Sequence, residues 1–127
     1  MSRVVLDTGA LIALERGDRA LWAALKLSAT RSEDVVVPTT ALAQAWRGTA
    51  RQARLGTVLQ SCVLSSFDSV ARSVGELCGR AKTKDICDAH VAIAASSPDT
   101  ILYTSDPEDL RHLITTYRRS SPIIVHC

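Results

Sequence analysis

Short apolar runs without polar alternation, each followed by a stretch of helical spacing, constrain this chain's fold more than any other feature. Val4-Val5-Leu6, Val35-Val36-Val37, Ile101-Leu102-Tyr103 and Ile123-Ile124-Val125 are such runs. A strand with one face in water alternates apolar and polar residues, whereas one covered on both faces is apolar throughout. Strands are therefore expected at 3–7, 35–37, 62–64, 100–103 and 123–125. Between them, Leu21, Trp22, Leu25 and Ala29, and later Val70, Ala71, Val74, Leu77 and Cys78, recur at helical intervals. Strands alternating with helices imply βα units, and the expected fold is a three-layer α/β sandwich with a mainly parallel central sheet flanked by helices.

The helix boundaries carry their own signals. A first helix starts after Thr8 and Gly9 and continues to Glu15, and Asp18 can cap a second. Thr39 or Thr40 can cap a third, entered by Pro38 and closed by Gly48. A further helix is expected from Arg51 to about Ser61, interrupted near Gly56. Asp68 and Gly79 bracket another, Asp85 to Ser96 is strongly apolar, and Pro107 to about Tyr117 closes the series.

At 127 residues the chain is expected to be one domain. Its aromatics are two Trp, two Tyr and one Phe, so Val, Leu, Ile and Ala must build the core. That favours helices on a sheet over a β-sandwich. Cys62, Cys78, Cys87 and Cys127 form no CxxC pair and have no zinc-like spacing to the histidines, and they are expected to be reduced core residues. The N-terminal segment meets Asp7 within a few residues and Glu15 soon after, unlike a signal peptide. No apolar run approaches the roughly 20 residues that span a bilayer, so a cytoplasmic protein without membrane contact is expected.

The net charge of +2 does not by itself point to nucleic acid. Its distribution says more. Arg47, Arg51 and Arg54 have the spacing of one helix face, Arg80, Lys82 and Lys84 form a second cluster, and Arg118 and Arg119 a third. Solvated helix faces commonly look like this, and the clusters matter only beside a site that needs phosphate.

Such a site is suggested by the acids. Ligands of open α/β sheets sit outside the carboxyl ends of the strands, and Asp7 and Asp106 fall just past two expected strands. Asp88 lies in the first turn of the apolar helix among Ile86, Ala89, Val91 and Ile93. Asp106 could serve as a helix cap, and Asp85 as a helix-terminal charge. Asp7 and Asp88 are harder to explain so, because a lone buried charge is costly. Acids converging on one edge repel each other unless a cation lies between them, and hard oxygen ligands suit Mg²⁺ or Mn²⁺. His90, nearly opposite Asp88 on the helix, is expected to be a packing residue.

Four blocks carry a family resemblance. Val-Leu-Asp-Thr-Gly-Ala-Leu-Ile-Ala-Leu at 5–14, Pro-Thr-Thr-Ala-Leu-Ala-Gln-Ala-Trp-Arg-Gly at 38–48, Asp-Ile-Cys-Asp-Ala-His at 85–90 and Tyr-Thr-Ser-Asp-Pro-Glu-Asp-Leu at 103–110 resemble, in order, the signature blocks of PIN domains. The nearest likeness is to the VapC-like toxins of toxin–antitoxin pairs. The resemblance implies an endoribonuclease that needs Mg²⁺ or Mn²⁺, forms homodimers, and is inhibited by a cognate antitoxin whose C-terminal segment fills the acidic groove. It implies Asp7, Asp88 and Asp106 as catalytic and metal-holding acids, with Thr104 a frequent hydroxyl beside the last.

One position departs from the pattern. Gln44 stands where the family carries a glutamate, which removes a negative charge and leaves the number of ions open; Asp85 and Asp109 are spare acids that could compensate. Gln44, Asp85 and Thr104 are thus expected to line the site, and Arg47 and Arg51 to touch RNA phosphates. The alternative is a binding module of the same fold whose chemistry has weakened. A phosphatase-like enzyme with Asp7 as nucleophile fits less well, since Gly9 occupies the place of the usual second acid.

Overall fold

The computed structural model describes residues 2–127. Five strands form one sheet: β1 (Arg3–Leu6), β2 (Asp34–Pro38), β3 (Val63–Ser65), β4 (Thr100–Thr104) and β5 (Ile123–His126). Their order is β3-β2-β1-β4-β5, and every neighbouring pair is parallel. The connecting helices are α1 (Thr8–Glu15), α2 (Arg19–Thr30), α3 (Thr39–Ala45), α4 (Ala53–Leu59), α5 (Ala71–Ala81), α6 (Ile86–Ala95) and α7 (Pro107–Tyr117). The three-layer α/β sandwich is thus observed, with a wholly parallel sheet.

Burial explains the unalternating runs. Val4, Val5 and Leu6 of the central strand, Val36 and Val37 of β2 and Leu102 of β4 are all buried. The edge strands differ: Val63 and Leu64 of β3 and Ile123 of β5 are exposed. Helix α1 packs on α2, α3 and α4, while α5, α6 and α7 pack on one another. Right-handed crossovers produce this division, because the chain moves one way from β1 to β3 and the other way from β4 to β5. The reversal falls between β1 and β4, and at such a switch point the flanking loops part and leave a crevice.

Several boundaries differ from expectation. β1 stops at Leu6, and Asp7 is the N-cap of α1, its Oδ1 accepting from the Ala10 amide at 2.8 Å. Helix α3 ends at Ala45, short of Gly48, and its N-cap is Pro38 without a side-chain bond. Thr39 and Thr40 are used across the fold instead: Thr39 Oγ1 accepts from the Phe67 amide, and Thr40 Oγ1 meets His90 Nδ1 at 2.8 Å. Consequently Arg47, Arg51 and Arg54 do not share a helix face. Arg47 lies in a loop, Arg51 in a 3₁₀ turn (Ala50–Gln52) and Arg54 in α4, where it stacks on Trp22.

Gly56 does not interrupt α4; a Cβ there would lie 3.2 Å from the Trp46 ring, so the glycine makes room for the indole. Gly79 is interior to α5, which ends at Ala81 with Lys82 in the left-handed region as its cap, and Asp68 begins a separate 3₁₀ turn. Among the described residues the four cysteines are free, and no helix is long and apolar enough to cross a membrane.

Candidate metal centre at the carboxyl edge of the sheet

The crevice between β1 and β4 gathers acids from three helix N-termini. Asp7 follows β1 directly, its amide bonded to the Tyr103 carbonyl of β4. Asp106 lies two residues past β4 and occupies the N-cap position of α7, yet its carboxyl makes no capping bond. Asp88 and Asp109 lie in the first turns of α6 and α7, two helices packed against each other. Such positions present the positive ends of helix dipoles to the carboxylates.

Oxygens of Asp88, Asp106 and Asp109 all lie within 4.8 Å of one another. This is the closest acidic group among the described residues, and it differs from the expected trio. Asp109 joins it, while Asp7 is buried, 4 % exposed, and outside the group, though it feels the Asp106 charge. Position three of α7 puts Asp109, one of the two spare acids, on the same side as the cap residue Asp106.

The electrostatics follow from burial and crowding. Burial raises the Asp7 carboxyl above its usual range, and the charge of Asp106 adds to this, while the Thr104 hydroxyl and the amides of Ala10 and Ser105 oppose it. Asp88 is pushed up to about 7, first by burial, then by the Asp85 charge and a carboxyl–carboxyl hydrogen bond to Asp85, then by Asp106 and Asp7. Burial first, and neighbouring acids after it, thus hold both carboxyls above their ordinary range. The hard oxygen donors, three of them within 4.8 Å, fit a small divalent cation.

The surrounding residues fix this arrangement. Thr104 is buried, faces Asp7, and accepts from the Asp106 amide at 2.8 Å, so one hydroxyl positions two of the acids. Asp85 caps α6 by accepting from the Asp88 amide at 2.9 Å. Asp85, Asp88 and Asp109 line a cavity of about 210 Å³ with Lys82, Thr83 and His112.

Gln44 is exposed, and its Oε1 accepts from the Thr8 hydroxyl at 2.9 Å, one residue from Asp7. It shares a neighbouring depression with Lys84, Asp85 and Cys87, apart from the closest acidic group. Arg47 and Arg51 are exposed, and the Arg47 guanidinium turns back onto the carbonyls of Ala43 and Trp46. His90 is fully buried, stacked edge-on against Phe67, and burial lowers its pKa.

Gln52 had no sequence signal. It is buried and receives the amides of Arg47 and Gly48 while donating to Glu15 Oε1 and the Ala45 carbonyl. It therefore anchors the loop after α3 to the end of α1.

In comparisons with known proteins, no family model matches this chain, and no curated protein matches its sequence.

Proposed function

We infer that this protein is a divalent-metal-dependent endoribonuclease of the PIN-domain type, the cytoplasmic toxin of a toxin–antitoxin pair. The observation that carries the reading is the convergence of Asp88, Asp106 and Asp109 within 4.8 Å at the β1/β4 switch point, with the buried Asp7 near enough to feel the Asp106 charge. Asp7, Asp88 and Asp106 hold Mg²⁺ or Mn²⁺ directly or through water, and Asp109 completes the set. Such an ion supplies neutralising charge for a phosphodiester and lowers the pKa of a ligated water.

The chain's own groups set the conditions for this. Asp88, with its pKa near 7, must release its proton to act as a ligand, so metal binding weakens as the pH falls. Thr104 keeps Asp7 and Asp106 in register. Surface arginines, Arg47 and Arg51 among those expected from the sequence, hold RNA phosphates without reading bases. An acidic cavity is also a receptor for a guanidinium, which pairs bidentately with carboxylates, and this suits an antitoxin that inserts an Arg. Homodimerisation rests on the family resemblance alone.

A second reading has one observation in its favour. The Gln44 side chain is neutral and its oxygen accepts from Thr8, so this position brings no negative charge to the site, as in a binding module whose chemistry has weakened. The two readings separate when purified protein is incubated with RNA. Cleavage in Mg²⁺ or Mn²⁺ that EDTA abolishes supports the nuclease. Intact RNA under every metal condition, with retained binding of an Arg-bearing peptide, supports the module.

A further inference from the structure

The clusters around Arg80 and around Arg118 and Arg119, separate in sequence, meet in the fold. Arg80, in the last turn of α5, and Arg118 and Arg119, just past α7, line one surface depression of about 720 Å³ with Thr115, Thr116 and Tyr117. Cations at helix C-termini are favoured by the dipole, which accounts for one charge at each helix end. It does not account for three in one depression, where they repel. All three are exposed, and the arginines whose guanidinium nitrogens find hydrogen-bond partners among the described residues are Arg3 and Arg47. Arg119 lies over the Tyr117 ring, 5.6 Å from its centroid, which leaves the guanidinium edge available to a ligand.

This depression adjoins the acidic cavity. Two residues beyond Arg80, Lys82 lines that cavity, and on the facing helix His112 lines it one turn before Thr116. His112 Nε2 meets the Ala81 carbonyl at 3.2 Å, pinning α7 to the end of α5 between the two depressions. Asp109 and Arg118 are nine residues apart along α7, roughly 14 Å at the helical rise.

We propose that the Arg80–Arg118–Arg119 depression binds the phosphate backbone of an RNA strand that runs past Lys82 into the acidic cavity. Three guanidiniums without carboxylate partners among the described residues suit the evenly spaced anions of a nucleic acid, and the Thr115 hydroxyl offers a further donor. RNA as the occupant rests on the ribonuclease reading, whereas the binding is measurable without cleavage.

The test is the anisotropy of a labelled single-stranded RNA in EDTA, titrated from low to moderate salt. Arg80→Gln, Arg118→Asn and Arg119→Gln are combined in one variant. Asparagine is chosen at 118 because that residue has φ 59°, which asparagine tolerates. Loss of three phosphate contacts should weaken binding at least tenfold at low salt and make the log–log salt slope shallower by about two. The acids are the same in wild type and variant, so the difference between their slopes reports the arginines. A Lys26→Gln/Arg31→Gln variant, exposed at α2 and outside both depressions, is the comparison surface and should keep the wild-type affinity and slope to within about one contact. A triple variant with wild-type affinity and slope overturns the proposal, as does a wild type that binds no RNA at low salt. Failure of the nuclease reading looks different: RNA stays intact in Mg²⁺ while the triple variant still loses affinity.

Discussion

The carboxyl of Asp85 both caps the helix that carries Asp88 and raises the Asp88 pKa, its Oδ1 lying 2.9 Å from the Asp88 amide nitrogen. One side chain therefore orders the helix and favours the protonated form of Asp88. Asp85→Asn keeps a capping oxygen while removing the negative charge. The Asp88 pKa should fall below 7 in the variant, with the melting temperature held within a few degrees. Carboxyl carbon chemical shifts followed through a pH titration measure this; an unmoved Asp88 titration would contradict the coupling.

Stability of the metal-free protein should decrease as the pH rises from about 4 to about 7. Asp88 has a folded pKa near 7 against an ordinary value of 3.8, and Asp7 is raised in the same direction. Between those values the folded state binds more protons than the unfolded one, so raising the pH favours unfolding. The effect expected from Asp88 is about 1–2 kcal/mol, after discounting for the water that still reaches it. Urea midpoints in EDTA at pH 5 and pH 7.5 check the sign, and Mg²⁺ or Mn²⁺ should restore stability at the higher pH.

Gly9 is required by a close approach. A Cβ at this position would collide with Ser105 Oγ, in the turn between Thr104 and Asp106. Gly9→Ala should displace that turn, cost about 1–3 kcal/mol and reduce metal affinity, because Asp106 moves with it. Thermal melts with and without Mn²⁺ distinguish this from simple destabilisation: the metal-induced rise in melting temperature should shrink as well.

Much of this was legible in the sequence, and the exceptions have physical causes. Unalternating strands implied the parallel sheet, and the placing of Asp7 and Asp106 at its carboxyl edge was legible too, because both features follow from local pattern. The role of Gly9 was hidden because the residue it must avoid, Ser105, is distant in sequence. Asp109 was legible only as a spare acid, since the packing of α6 on α7 is what brings it to Asp88. The boundary of α3 was misplaced because Gln52, from a later turn, takes up the amides of Arg47 and Gly48 and holds them out of the helix.

Gln44→Glu should strengthen metal binding. A carboxylate can keep the Thr8 hydrogen bond with one oxygen and present the other, with its charge, to the acidic edge. The Mg²⁺ concentration for half-maximal RNA cleavage should fall several-fold, while Gln44→Ala should change it little. Three coincident metal titrations would place Gln44 outside the site, and activity confined to Gln44→Glu would identify the natural chain as the weakened binding module.

The central claim is that Asp88 and its neighbours hold a catalytic metal ion, and RNA cleavage by Asp88→Asn tests it most directly. The substitution preserves shape and removes one charge from a crowded acidic group, so the metal-free variant should melt at the wild-type temperature or above. With Mg²⁺ or Mn²⁺ present, the account predicts that a folded Asp88→Asn protein leaves RNA intact under conditions in which the wild type cleaves it. Cleavage by the variant at the wild-type rate would contradict the account.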